Sequence, residues 1–224
     1  MCGRFALNSS PQRIAQQFSL DGVPDLLPRY NIAPSQAIPI IRQGAEGKRE
    51  CVMVRWGLIP AWSQEPKTAY STLNARAETV ATKPAFRSAF RSRRCLVPAD
   101  AYFEWQSRPG SRLKQPFLIA LKNQSVFAFA GLWERWRHED TVIESCTIIV
   151  TDANALTRPI HDRMPVILDP SDYPAWLDRE ATAVALQSLL KPYDCDQMTA
   201  YPVSTRVNNP RHDDPQVIEP ATPQ

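Results

Sequence analysis

Cysteine at position 2 is the residue whose placement carries the most chemistry. Loss of Met1, which a small side chain at the second position permits, leaves an α-amine and a thiol on adjacent carbons. An α-amine has a pKa of about 7.7–8.0, against about 10.4 for lysine, so much more of it is uncharged near neutral pH. Such an amine attacks an aldehyde, and the neighbouring thiol then closes a thiazolidine ring. The second step is intramolecular and gains a large effective concentration. An internal lysine or cysteine cannot do both. Taken alone, a Met-Cys start is more readily an accident of sequence.

Three further segments could serve that chemistry. In Ser71-Thr72-Leu73-Asn74-Ala75-Arg76-Ala77-Glu78 an amide and a guanidinium stand two residues apart, and in an extended segment both face the same way. Arg76 can then fork onto a phosphate while Asn74 orients an amine or a sugar oxygen. Ala101-Tyr102-Phe103-Glu104-Trp105 sets a carboxylate among aromatic residues. Burial there would raise the Glu104 pKa and fit it for proton transfer; an exposed strand-face glutamate is the plainer alternative. Ile160-His161-Asp162-Arg163 offers an imidazole beside a charged pair, able to shuttle protons near neutral pH or simply to hold structure.

The bulk composition narrows the classes. The 224 residues, 43% hydrophobic, suit one domain with a real core. No apolar run of roughly eighteen residues appears, and the N-terminus lacks a charged leader followed by an apolar stretch, so a cytosolic protein is expected. The five cysteines are odd in number and without a CxxC pair, which argues against a disulfide framework or a zinc site. A net charge of +3 is too mild to announce a nucleic-acid binder. Between Arg76 and Arg94, however, five arginines and one lysine (Arg76, Lys83, Arg87, Arg91, Arg93, Arg94) face the single acid Glu78. That block either neutralises phosphates or forms a solvated basic face.

The elements that must position these residues are mostly short. Apolar, β-branched or aromatic runs at 37–42, 51–58, 94–97, 101–106, 116–121, 126–133, 143–151 and 164–168 read as strands. Ser10-Pro11 opens a helix with Ile14 and Phe18 on one face, and Pro84 suits the first turn of a helix over 85–92. Residues 171–179 and 182–190 read as helices too. The expected architecture is α+β: one domain with a curved, mainly antiparallel, barrel-like sheet core and peripheral helices, spanning 1–207. Missing strand–helix alternation disfavours a doubly wound parallel sheet. Residues 208–224, rich in Pro and polar side chains, read as a loosely held tail.

Six motifs in order carry a resemblance across nearly the whole chain. Met1-Cys2-Gly3-Arg4-Phe5, Arg29-Tyr30-Asn31-Ile32-Ala33-Pro34, Arg55-Trp56-Gly57-Leu58-Ile59-Pro60, Asn74-Ala75-Arg76-Ala77-Glu78, Phe103-Glu104-Trp105 and His161-Asp162-Arg163-Met164-Pro165 resemble the SRAP family of abasic-site processing proteins. The resemblance implies loss of Met1, by the protein's own peptidase activity, and covalent capture of the ring-opened aldehyde of an abasic site by Cys2 as a thiazolidine, with lyase chemistry as a side activity. It implies that Asn74 holds the amine or the opened sugar, that Glu104 transfers protons and that His161 assists. Arg4, Arg76 and Arg163 would hold phosphates, and Pro34 and Trp62 would line the place where flanking bases splay, since an aromatic face stacks a base. Ser63 and Ala85 depart from the pattern, standing where a second aromatic and a larger apolar residue occur in the family. The implied partner is single-stranded DNA with abasic sites, together with replication-fork proteins. The protein would be a cytoplasmic monomer, nucleoid-associated when on DNA, with no metal or cofactor. Two rivals are an N-terminal-nucleophile amidohydrolase, whose amine would serve as base for the thiol, and a non-covalent single-strand binder that leaves Cys2 idle.

Overall fold

The computed structural model describes residues 2–44, 47–66, 72–110 and 113–222. Among the described residues thirteen strands appear: β1 (Phe5–Leu7), β2 (Arg29–Ile32), β3 (Ala37–Gln43), β4 (Arg49–Trp56), β5 (Asn74–Arg76), β6 (Arg94–Ala99), β7 (Ala101–Gln106), β8 (Gln115–Leu121), β9 (Phe127–His138), β10 (Thr141–Asp152), β11 (Arg163–Pro165), β12 (Ile167–Leu168) and β13 (Met198–Pro202). Four α-helices join them: α1 (Pro11–Phe18), α2 (Arg87–Ser92), α3 (Tyr173–Leu177) and α4 (Ala183–Ser188).

One sheet runs β13-β8-β7-β1-β2 and is antiparallel throughout. In the other, β10 pairs with β4 at one end and with β9 at the other, so β10-β4-β3-β6-β9 closes on itself. This circuit is the barrel-like core expected from the sequence, and an α+β architecture follows. Among the described residues only the β10–β4 and β10–β5 pairings are parallel. Phe5 joins the two sheets, its ring edge-on to Trp56 at 5.3 Å and to Phe129 at 5.9 Å between centroids. Such edge contacts add to the area that large aromatic rings bury.

Helices α1 and α4 form where the sequence gives them a side-chain cap, from Ser10 and Thr182, whereas α2 and α3 begin without one. The Ser10 side chain accepts from the Arg13 N–H, Pro11 takes the first turn, and Ile14 and Phe18 are fully buried. Ser19, left-handed at φ 53°, ends the helix and passes the chain on. The helix expected over 85–92 begins later, at Arg87, and the one over 171–179 becomes a 3-10 turn followed by only Tyr173–Leu177. The single run at 164–168 divides into β11 and β12. At Val166 the chain changes partner, its N–H donating to Ile149 O while its carbonyl accepts from the Ala130 N–H.

The loosely held tail is corrected for residues 208–222. Val207 and Val217 are fully buried in a small cluster with Ala6, Phe103 and Leu118, on the face of the five-stranded sheet away from the main core. Asp213 accepts from the Arg29 side chain and from the N–H groups of Tyr30 and Asn31 at 2.5 and 2.8 Å. Val203 and Pro220 form a β-bridge. Composition misled because two isolated valines, each on a 3-10 turn capped by Ser204 or Asp214, do the anchoring.

The basic block is also corrected. Arg94 is buried and donates to the carbonyls of Phe90, Arg91, Trp176 and Asp178, and Arg93 pairs with Glu134 at 2.8 Å. Arg76, Lys83, Arg87 and Arg91 remain exposed. No helix among the described residues is long and apolar enough to cross a membrane.

Candidate functional site

Strand register brings Cys2 to Glu104. Phe5 faces Tyr102 across β1–β7, and the Phe103 N–H donates to Arg4 O at 3.0 Å. The residues before Phe5 therefore run back along Glu104. Cys2 is fully buried and the Glu104 side chain is 4% exposed. Burial pushes the Cys2 thiol well above its ordinary range, and the neighbouring Glu104 carboxylate adds to the effect. The thiol is thus neutral at physiological pH. Burial likewise raises Glu104 from 4.5 to about 7, with Asp162 contributing in the same direction. A carboxyl that titrates near neutrality can both give and take a proton at working pH.

His161 arrives from the loop between β10 and β11. Asn154 accepts from the backbone and hydroxyl of Thr157 at 3.0 and 3.1 Å, and the His161 N–H donates to Thr157 O at 2.9 Å. Gln106, at the end of β7, donates to Pro159 O at 2.9 Å and ties that loop to the strand carrying Glu104. His161 Nε2 then lies 4.0 Å from Glu104 Oε2. The Arg163 N–H donates to His161 Nδ1 at 3.0 Å, which assigns the neutral ring's proton to Nε2, the nitrogen facing Glu104. Asp162 Oδ1, 2.8 Å from Nδ1, favours the protonated ring instead. Burial outweighs it and holds the imidazole below 6.5, so the neutral form stands at pH 7.

The other candidates divide by position. Asn74, half-buried on β5 opposite Ile148 of β10, lies two residues from exposed Arg76, and buried Ala75 between them gives both the same outward face. The Arg76 side chain makes no hydrogen bond or ion pair among the described residues, while its carbonyl accepts from the Thr79 N–H at 3.1 Å. Arg163 is paired with Glu78 and lies 3.3 Å from Asp152, so its charge is already met within the protein. Arg4 donates from Nη1 to Asn31 Oδ1 and Val207 O at 2.8 and 2.6 Å, with its guanidinium 5.7 Å from the Trp105 ring centroid. It therefore staples the C-terminal segment to the sheet. Pro34 sits in a turn where Ser35 donates to Trp56 O at 2.8 Å, and Trp62, 68% exposed, follows β4. No hydrogen bond or ring contact ties Pro34 or Trp62 to Cys2, Glu104 or His161 among the described residues.

Two neighbours of the site were not singled out from the sequence. Tyr102 is fully buried, its hydroxyl has no hydrogen bond among the described residues, and burial, then Cys2 and Glu104, hold its pKa high. Period-two spacing from Glu104 was the available signal. Lys114 acts electrostatically on both Glu104 and His161. The β7–β8 register, Gln106 opposite Gln115, accounts for this, because Lys114, just before Gln115, lies at the same end of the sheet.

The fold thus buries Cys2 beside a near-neutral carboxyl, which an imidazole approaches in turn. The family model "SOS response associated peptidase (SRAP)" matches residues 1–210, and the chain belongs to that family. It is 46% identical to the abasic site processing protein YoqW of Bacillus subtilis, over 98% of this chain and 99% of that one. It is 30% identical to the abasic site processing protein HMCES of Xenopus tropicalis, over 97% of this chain and 78% of that one. A crystal structure from Bacteroides thetaiotaomicron superposes with a TM-score of 0.87 at 30% identity, covering 99% of this chain and 100% of the other.

Proposed function

We propose that this protein processes abasic sites in single-stranded DNA by covalent capture through Cys2. The observation that carries the reading is the burial of Cys2 beside Glu104, a carboxyl raised to about 7. Met1 lies outside the described residues. Hydrolysis of the Met1–Cys2 amide frees an α-amine next to that carboxyl. The amine adds to the aldehyde carbon of the ring-opened sugar to give a carbinolamine. Glu104 in its acid form protonates the departing hydroxyl, water leaves, and the resulting iminium returns its N–H proton to the Glu104 carboxylate, leaving a neutral imine. The Cys2 S–H then adds across the C=N bond, sulfur to carbon and proton to nitrogen, closing the thiazolidine.

A neutral thiol suits this order, in which the amine attacks first and sulfur follows. The amidohydrolase alternative needs a thiolate at the outset, and burial of Cys2 works against one. His161, its Nε2 proton directed at Glu104, relays protons to the carboxyl and assists reversal. Asn74 holds the opened sugar, and exposed Arg76 is the foremost phosphate contact. Arg163 reaches phosphate only by exchanging Glu78, and Arg4 only through its remaining N–H groups. Pro34 and Trp62 meet the flanking bases.

The test is to mix the protein with an abasic oligonucleotide and run a denaturing gel, with mass spectrometry of the product. Native protein should give a denaturant-resistant adduct lacking Met1 and one water, and Cys2→Ala should give none. An equal adduct from Cys2→Ala would remove Cys2 from the reaction.

A further inference from the structure

The turn that carries Trp62 is held from outside by the β9–β10 hairpin. The Ile59 N–H donates to Ser145 Oγ at 2.8 Å, and the Ser63 N–H closes the turn onto Pro60 O at 2.9 Å. Ser63 O accepts from Trp136 Nε1 at 2.8 Å, and Ser63 Oγ donates to Glu65 O at 2.9 Å. Trp136 is 3% exposed and its ring lies 5.8 Å from that of His138 at an interplanar angle of 8°. The backbone on both sides of Trp62 is therefore fixed, while the Trp62 side chain itself is 68% exposed. A large aromatic left in water on a pinned turn is pre-organised for a flat partner, because little ordering remains to be done on contact.

We propose that Trp136 is a positioning residue for single-stranded DNA, acting through Ser63 to preset Trp62 for stacking on a base. This rests on the DNA reading given above. Trp136 touches no base. Its indole N–H holds the Ser63 carbonyl, and the stack with His138 holds the indole. Ser63 takes part through its backbone, so the absence of a second aromatic at that position leaves the device intact.

The experiment is a double-mutant cycle read as affinity for an undamaged oligothymidylate at fixed salt, with thermal melts confirming folding. Trp62→Ala should weaken binding by about 5- to 150-fold, the range for one stacked base. Trp136→Phe keeps an aromatic ring and removes the N–H; it should weaken binding about 3- to 10-fold, the scale of one hydrogen bond. The double variant should bind no more weakly than Trp62→Ala alone. His138→Ala, which leaves the Trp136 hydrogen bond in place, should act in the same direction and less. An undiminished effect of Trp136→Phe in the Trp62→Ala background, or no effect in the native one, overturns the proposal. If Trp62→Ala binds like the native protein while both still form the Cys2 adduct, the proposal falls and covalent capture stands.

Discussion

Glu104→Gln should make the protein more stable at alkaline pH while disabling it. Glu104 binds its proton at about 7 in the fold and near 4.5 in the unfolded chain. Between those values the folded state holds more protons than the unfolded one, so stability falls as pH rises through that window. Below about pH 4 both states are protonated and the group contributes nothing. Above pH 7 the fold carries a buried carboxylate, and the difference amounts to about 3 kcal/mol as an order of magnitude. Glutamine has the same shape and no charge, so it removes that cost only where the carboxylate was ionised.

Thermal melts at pH 5 and pH 8 are the assay. For a chain of this size about 3 kcal/mol corresponds to roughly 6–12 °C. The variant should melt above the native protein by about that much at pH 8, and the gap should narrow sharply at pH 5. Adduct formation by the variant should slow by about 10²–10⁴-fold, the usual scale for a lost proton-transfer group. A gap independent of pH, or one that widens on acidification, would refute the assignment of a raised Glu104 pKa. It would also remove the reason for making Glu104 the proton-transfer group.

Lys114→Ala removes a positive charge that favours ionised Glu104, so the Glu104 limb of the pH–rate profile for adduct formation should move to higher pH; an unmoved limb would show that Lys114 does not reach the site. Arg76→Ala should weaken single-strand binding and lower the salt slope by about one, whereas Arg163→Ala, already matched by Glu78 and Asp152, should lower it less. Equal slopes for the two variants, measured by titration at several salt concentrations, would contradict that ranking. Val217→Ala should lower unfolding free energy by about 2 kcal/mol in denaturant titration, the scale of a buried aliphatic side chain, and a neutral result would return residues 208–222 to the status of a loose tail.

The sequence revealed the long strands because each is an apolar run of sufficient length to show its character. The strands Ala101–Gln106 and Ala37–Gln43 fall almost where the pattern put them. Strands β1, β2, β5 and β13 did not show, being three to five residues long, below the length at which alternation stands out from chance. Two of these matter most for the site. β1 brings Cys2 to Glu104, and β5 turns Asn74 and Arg76 outward from β10. Their pairing is long-range, so nothing in the neighbouring residues announces it. Arg94 reads as a cation like its neighbours, yet it is consumed by four carbonyls because α2 and the end of α3 close around it.

Residue types, by contrast, were enough to nominate Cys2, Glu104 and His161, and the fold brings these three together. Their protonation states were beyond the reach of sequence. The same Phe-Glu-Trp triplet on a solvent-facing strand would leave Glu104 an ordinary carboxylate at neutral pH, unable to donate. Burial against the barrel, created by Phe5, Trp56, Tyr102 and Phe129 meeting between two sheets, converts it to a group near 7. The same burial raises the thiol pKa and favours its neutral form, which fits the proposed order of amine first and sulfur second. On that proposal, the order of bond formation at Cys2 rests on the packing between the two sheets.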